Sequence, residues 1–60
     1  MKINFAERNP MCEEEMIHFC HMNEADVESL GNRTYSVNSD DKAFVETMYI
    51  LAQIKMFEII

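Results

Sequence analysis

The last eighteen residues, 43–60, constrain the fold most, because thirteen of them are apolar. On a helical wheel of 100° per residue, their apolar side chains surround almost the whole helix instead of forming one stripe. One ridge can pack on the rest of this short chain, and the opposite ridge then requires a partner. We therefore predict self-association of this segment, through the apolar residues Phe44, Met48, Ile50, Leu51, Ile54 and Phe57.

The length of 60 residues predicts a single small domain spanning residues 1–60. A core of this size rarely contributes more than about 3 to 5 kcal/mol without a disulfide, a metal or a partner subunit. The chain is 48% apolar and contains one glycine and one proline, which is too hydrophobic for a disordered segment. Residues that favour helices dominate, so the composition predicts a mainly α domain.

The first helix is predicted to begin at Pro10, with Asn9 as its N-cap. The acidic residues 13–15 then lie near the positive end of the helix dipole. On the wheel, one face of this helix carries four apolar side chains, Cys12, Met16, Phe19 and Cys20.

The helical pattern restarts at Asn23, which forms a sequence resembling a capping box with Asp26. An apolar stripe continues as far as Gly31, where Gly31 and Asn32 give a stop signal. Either one helix bends near Asn23, or two short helices meet there.

A long C-terminal helix is predicted from about Asp40 to near Met56, because residues 38–41 provide two possible caps and two acids. Residues 55–60 fit no single period, so they fray, continue as helix or extend as a strand. The main prediction is a mainly α domain with an N-terminal arm or short strand, which pairs through its C-terminal helix into a dimeric bundle.

An α+β fold is the alternative prediction. Residues 2–6 and residues 33–37 both alternate between apolar and polar side chains. The apolar side chains that share a face are Ile3 and Phe5 in the first segment and Tyr35 and Val37 in the second. The two segments could pair as a two-stranded sheet, which would depend on helix packing for its stability.

The net charge of −6 is uneven, because no Lys or Arg occurs between Asn9 and Asn32. Nucleic-acid backbones and anionic membranes attract basic surfaces, so we expect neither direct nucleic-acid binding nor membrane binding. An acidic face could instead bind a protein partner with a basic surface. The residues predicted for this face are Glu13, Glu14, Glu15, Glu24, Asp26 and Glu28.

A metal site has one weak candidate, formed by Glu14, His18 and His21 at positions i, i+4 and i+7 of the first helix. Exposed Glu and His at this spacing more often serve only to solvate a helix, so we predict no metal and no cofactor. Cys12 and Cys20 are separated by about 12 Å along a helix, which is too far for a disulfide.

The residues 1–10 lack the apolar region of a secretory signal, and the longest uncharged run of the C-terminal segment, 47–54, is shorter than a membrane span. We therefore expect a cytoplasmic protein.

The leading functional hypothesis is a non-catalytic acidic interaction module that self-associates and binds or inhibits a basic protein partner. It is analogous, in size and charge alone, to phage antagonists of host enzymes. The alternative is a dimeric small-molecule-binding or regulatory subunit, with an interface pocket lined by Met48, Tyr49 and Phe57. A metal-binding sensor is a weaker alternative. No glycine-rich phosphate loop or nucleophile motif occurs, so we do not expect an enzyme.

Overall fold

The computed structural model describes residues 1–8 and 10–60. In these residues the prediction of a mainly α bundle is wrong, because the chain forms two helices and a four-stranded antiparallel sheet, an α+β domain. The elements in chain order are β1 (Lys2–Asn4), α1 (Pro10–Met22), β2 (Asp26–Gly31), β3 (Thr34–Asn38), α2 (Lys42–Gln53) and β4 (Glu58–Ile59).

The strands are arranged in the order β2-β3-β1-β4, and each neighbouring pair is antiparallel. This order of elements and strands is the β-α-β-β-α-β topology of ferredoxin-like, split βαβ folds. In the central strand β1, Ile3 lies opposite Tyr35 of β3 and opposite Ile59 of β4. The α+β alternative therefore predicted the β1–β3 pairing correctly but missed the two edge strands.

Both helices and one face of the sheet share a single core. The Phe5 ring on the sheet meets the rings of Tyr35 and Phe57 edge-on, with centroids 5.8 and 5.7 Å apart. The rings of Phe19 in α1 and Phe44 in α2 pack together with their centroids 5.6 Å apart, and this contact joins the two helices. The buried apolar residues are Ile3, Phe5, Met16, Cys20, Ala25, Val37, Phe44, Met48 and Phe57.

The opposite face of the sheet is polar, as the two-residue period of a strand requires. Lys2 and Asn4 of β1 alternate with the buried Ile3, and Glu28 of β2 faces Ser36 of β3 in the register. The sheet therefore has one face that covers the core and one face exposed to solvent.

The predicted helix after Asn23 is also wrong, because this part of the chain forms the hairpin of β2 and β3. The two strands are joined at Asn32 and Arg33, whose φ angles are 53° and 57°. Two successive positive φ values define a type I′ turn, whose twist matches that of the flanking strands. Gly31, with φ 85°, pairs with Thr34 beside the turn and follows a register shift in β2.

Helix α1 ends at Met22 in a Schellman motif. The Glu24 N–H donates to the His21 carbonyl and the Ala25 N–H donates to the Cys20 carbonyl, both at 3.0 Å. This motif requires a left-handed residue after the helix cap, and Glu24 with φ 58° occupies that position. The chain then leaves the helix axis and enters β2.

The predicted start of the C-terminal helix is close to the observed one. The Asp41 carboxylate caps α2 by accepting hydrogen bonds from the backbone N–H groups of Ala43 and Phe44. The helix nevertheless ends at Gln53, so the prediction of a long helix reaching near Met56 is wrong.

A second Schellman motif terminates α2. The Lys55 N–H donates to the Ala52 carbonyl and the Met56 N–H to the Leu51 carbonyl, both at 3.1 Å, and Lys55 has φ 68°. The turn directs the chain back along the sheet as β4. Phe57 is thereby buried in the core, with 1% of its surface exposed.

Replacing Glu24 with glycine is expected to raise the free energy of unfolding by about 0.5 to 1 kcal/mol. A left-handed conformation costs an ordinary L-residue more than it costs glycine, and the greater freedom of glycine in the unfolded chain offsets part of the gain. Thermal or urea denaturation measures the change. Glu24→Ala removes the same charge and retains the strained Cβ, so equal stabilisation by both variants would contradict the backbone explanation.

Candidate ligand-binding cleft

A cleft with a volume of about 560 Å³ lies beside α1. This volume is within the range of about 300 to 1,000 Å³ that is usual for small-molecule sites. Most of the lining residues belong to α1, and Tyr35 of β3 is the strand residue among them. The lining residues are Pro10, Glu13, Glu14, Ile17, His18, His21 and Tyr35.

The helical period explains why these α1 residues meet. Positions 10, 13, 14, 17, 18 and 21 are three or four residues apart, and residues at this spacing share one side of a helix. The wheel prediction for α1 is confirmed on its other side, where Met16 and Cys20 are buried in the core. The predicted cap of this helix, Asn9, lies outside the described residues.

Glu13 is held between two residues of the hairpin, and this contact fixes one wall of the cleft. Arg33 Nε donates to Glu13 Oε1 at 2.7 Å, and the Tyr35 hydroxyl donates to Glu13 Oε2 in a short hydrogen bond. Arg33 Nη2 also donates to the Arg8 carbonyl at 2.8 Å. The three side chains thus join α1 to β3 by charge-assisted hydrogen bonds.

The same hydrogen bonds change the acidity of both partners. The hydrogen bond from Tyr35, followed by that from Arg33, lowers the pKa of Glu13, because both donors favour the carboxylate over the carboxylic acid. The hydrogen bond to Glu13, with burial as a second cause, raises the pKa of Tyr35. Glu13 is therefore held as a carboxylate and Tyr35 as a neutral phenol.

The six acidic residues predicted to form one face lie on different surfaces. Glu13 and Glu14 line the cleft beside α1. Glu24 and Asp26 line a separate cleft of about 330 Å³, together with residues 38–41. Glu28 lies on the polar face of the sheet, and Glu15 is exposed on α1. The predicted acidic face is therefore not one continuous surface.

The candidate metal ligands Glu14, His18 and His21 share the cleft, as their spacing predicted. However, no group of three His, Cys, Asp or Glu side chains within residues 1–8 and 10–60 is arranged to hold a metal ion. Cys12 is half-buried and Cys20 fully buried, and both are free thiols. Burial raises the pKa of the Cys20 thiol.

The residues predicted for self-association are divided between the core and the surface. Phe44, Met48 and Phe57 are buried in the core of their own chain, so they are not available to a partner. Met48 and Phe57 were also predicted to line a pocket at a dimer interface, and neither is exposed on the described chain. Ile50 and Ile54 remain exposed, with 58% and 62% of their surface accessible, and Leu51 is half-buried.

Comparison of the chain with protein-family models, curated proteins and solved structures finds no match. Neither of the two helices described here has the length and apolar character needed to cross a bilayer.

The sequence interpretation did not place Arg33, Tyr35 or Ile17 in a site. A signal for Arg33 was present, because it is the only basic residue between Asn9 and Lys42. The longest run of consecutive acids in the chain is residues 13–15, which makes it one candidate partner for Arg33 across the fold. No comparable sequence signal exists for Tyr35, whose position depends on the register of the sheet.

Proposed function

We propose that this chain is a non-catalytic ligand-binding domain that holds a small organic cation in the cleft beside α1. The observation that supports the proposal is the cleft itself, which combines a free carboxylate, two imidazoles and an apolar wall in one concave site. Such a combination of an apolar surface and a few polar groups is typical of small-molecule sites. The proposal corresponds to a small-molecule-binding or regulatory subunit.

The charges of the cleft favour a cationic ligand. Glu13 is already neutralised by Arg33, so its carboxylate is not free. The Glu14 side chain makes no hydrogen bond or ion pair with another described residue, and Glu14 lines the same cleft. The net charge of −6 adds an attractive field for cations.

The apolar lining favours a ligand with a hydrophobic body. Ile17 and Pro10 supply aliphatic surface beside the ring of Tyr35. An aromatic ring next to a carboxylate suits an organic ammonium group, because both attract positive charge. The imidazoles of His18 and His21 can additionally accept or donate hydrogen bonds.

Binding at this position has a structural consequence that suits regulation. The cleft is bounded by α1 and β3, which Glu13, Arg33 and Tyr35 already connect. A ligand that contacts both elements binds the folded state selectively and stabilises it in proportion to the logarithm of its concentration. The ligand would therefore strengthen the link between helix and sheet.

The proposal is tested by titrating ¹⁵N-labelled protein with phenethylamine and following the amide chemical shifts. We expect saturable shifts concentrated at residues 13–21 and at Tyr35. Phenylacetate has the same ring and the opposite charge, and it is expected to give much smaller shifts. Equal binding of the two compounds, or shifts spread evenly over the chain, would contradict the proposal.

Two neighbouring glutamates provide a matched pair of variants. Glu14→Gln removes the free carboxylate of the cleft, and loss of one partly exposed charge contact is expected to weaken phenethylamine binding by about threefold to tenfold. Glu15→Gln removes the same charge from a residue outside the cleft lining and should have little effect. Equal weakening by both variants would indicate a general effect of net charge instead of a site.

Binding of a basic protein partner stays a prediction from the sequence. The separation of the six acidic side chains over different surfaces provides less support for it than the cleft provides for a small ligand.

A further inference from the structure

Both histidines of the chain lie in the cleft beside α1. His18 and His21 are three positions apart, and they share the side of the helix that also carries Glu14. Histidine is the side chain that ordinarily gains its positive charge between about pH 8 and about pH 5. A cleft with two imidazoles in its lining therefore changes its charge within this range.

The other polar groups of the lining keep their charge over the same range. Glutamate side chains ordinarily gain a proton only below about pH 5. The hydrogen bonds from Tyr35 and Arg33 lower the pKa of Glu13, so this carboxylate persists as the pH falls. The hydrogen bond to Glu13 raises the pKa of Tyr35, so the phenol stays neutral as the pH rises. The two imidazoles are thus the part of the lining that changes charge.

The charged side chains that flank the imidazoles along the chain are acidic, because no Lys or Arg occurs between Asn9 and Asn32. Glu14 lies one helical turn before His18 on the same side of α1. The acids of β2, which packs against α1, alternate with the core-packed Val27 and so lie on the face of the sheet away from the helix. The acidic residues of α1, of the turn after it and of β2 are Glu13, Glu14, Glu15, Glu24, Asp26 and Glu28.

We propose that protonation of His18 and His21 releases the organic cation from the cleft, which binds it near about pH 8 and loses it toward about pH 5. This inference rests on the proposed cation-binding function. A protonated His18 lies at the i, i+4 spacing that favours an ion pair with Glu14, so it competes with the ligand for this carboxylate. The second protonated imidazole adds a like charge that repels the cation.

Titration of the ¹⁵N-labelled protein with phenethylamine, at about pH 8 and at about pH 5.5, tests the release. We expect the dissociation constant to rise by about fivefold to tenfold at the lower pH, since each partly exposed charge changes the free energy of binding only modestly. Phenylacetate carries the opposite charge, so its weak binding should become stronger over the same change of pH. A general loss of the fold would weaken the binding of both compounds alike.

The double variant His18→Gln with His21→Gln keeps side chains that form hydrogen bonds but cannot gain a charge. Its dissociation constant for phenethylamine is expected to be the same at the two pH values, and circular dichroism at both values checks its fold. Either a double variant with the wild-type pH dependence, or a wild-type affinity that does not change with pH, would overturn the release and leave the cation site in place. Absence of phenethylamine binding at both pH values would instead contradict the proposed function, and this inference with it.

Discussion

Replacing Phe57 with alanine is expected to unfold most of the domain at room temperature. Phe57 has 1% of its surface exposed and packs edge-on against Phe5 at the centre of the core. Loss of a buried Phe side chain costs about 3 to 5 kcal/mol, including the cavity that remains. Domains of this size often have only about 3 to 5 kcal/mol of stability in total. Circular dichroism and urea denaturation measure the loss.

The matched control is Ile54→Ala, in the same part of the chain. Ile54 is 62% exposed, and at protein concentrations below self-association its truncation should change the free energy of unfolding by less than about 1 kcal/mol. Phe57→Leu, which leaves a smaller cavity, keeps a folded variant available for comparison. Similar losses for Phe57→Ala and Ile54→Ala would show that Phe57 does not lie in the core.

Replacing Glu13 with glutamine is expected to lower the free energy of unfolding at pH 7 by about 1 kcal/mol. The substitution removes a charge that accepts hydrogen bonds from Arg33 and Tyr35 at a partly exposed position. Because folding lowers the pKa of Glu13, its stabilising effect is present above the ordinary glutamate pKa and is lost as the pH falls through the folded value. The difference in the free energy of unfolding between the wild type and Glu13→Gln should therefore become smaller as the pH falls, which urea denaturation at several pH values measures.

Tyr35 gives a second, spectroscopic signature of the same contact. Folding raises its pKa through the hydrogen bond to Glu13, so the contact stabilises the fold below the ordinary tyrosine pKa and fails as the pH rises through the folded value. In a Tyr49→Phe background, absorbance titration follows Tyr35 alone, because the chain contains two tyrosines. Glu13→Gln should move this titration to lower pH, and Glu15→Gln should leave it unchanged. An unchanged titration in Glu13→Gln would contradict the contact.

Local signals in the sequence predict several elements of the fold correctly. The predicted start of α2 lies within two residues of the observed one, although the N-cap is Asp41, which was predicted as an acid of the first turn and not as a cap. The apolar face of α1 follows from the helical period. The alternation at residues 2–6 and 33–37 predicts that these two segments pair, and the structure adds the register, in which Ile3 lies opposite Tyr35.

The ends of the helices could not be read from the sequence, because the residues that end them are not glycine. Glu24 and Lys55 occupy the left-handed positions of the two Schellman motifs, where glycine is the usual residue. Without that signal, the apolar residues after each end extend the helical pattern falsely. Val27 of β2 and Ile59 of β4 then count as helix positions, although they belong to strands with a two-residue period.

Treating residues 43–60 as one helix also explains why their apolar side chains surrounded almost the whole helical wheel. The segment contains a helix and a strand that bury side chains against one core from different directions, so a single wheel distributes them around the whole circle. The ridge of the wheel opposite Phe44 consists of Ala43, Ile50, Ile54 and Phe57, and the turn at Lys55 places Phe57 in the core. The other three residues of that ridge are exposed.

The candidate site was only partly predictable, because its walls come from distant parts of the sequence. The spacing of Glu14, His18 and His21 correctly grouped them on one side of α1. Tyr35 is separated from Glu13 by 22 positions, and the contact exists only because β3 lies beside β1 under the helix. Helical periodicity cannot predict a contact that is set by strand order.

The order of the sheet, with β1 between β3 and β4, is the central structural claim, and a cross-strand nuclear Overhauser effect tests it most directly. The Ile60 N–H donates to the Lys2 carbonyl, so Ile3 and Ile59 form the adjacent non-hydrogen-bonded pair. Their Cα atoms should be about 4.5 Å apart, which gives a strong Hα–Hα signal. We expect that signal between Ile3 and Ile59. Its absence, with sequential amide–amide signals continuing from Gln53 to Ile59 as in a helix, would contradict the fold described here.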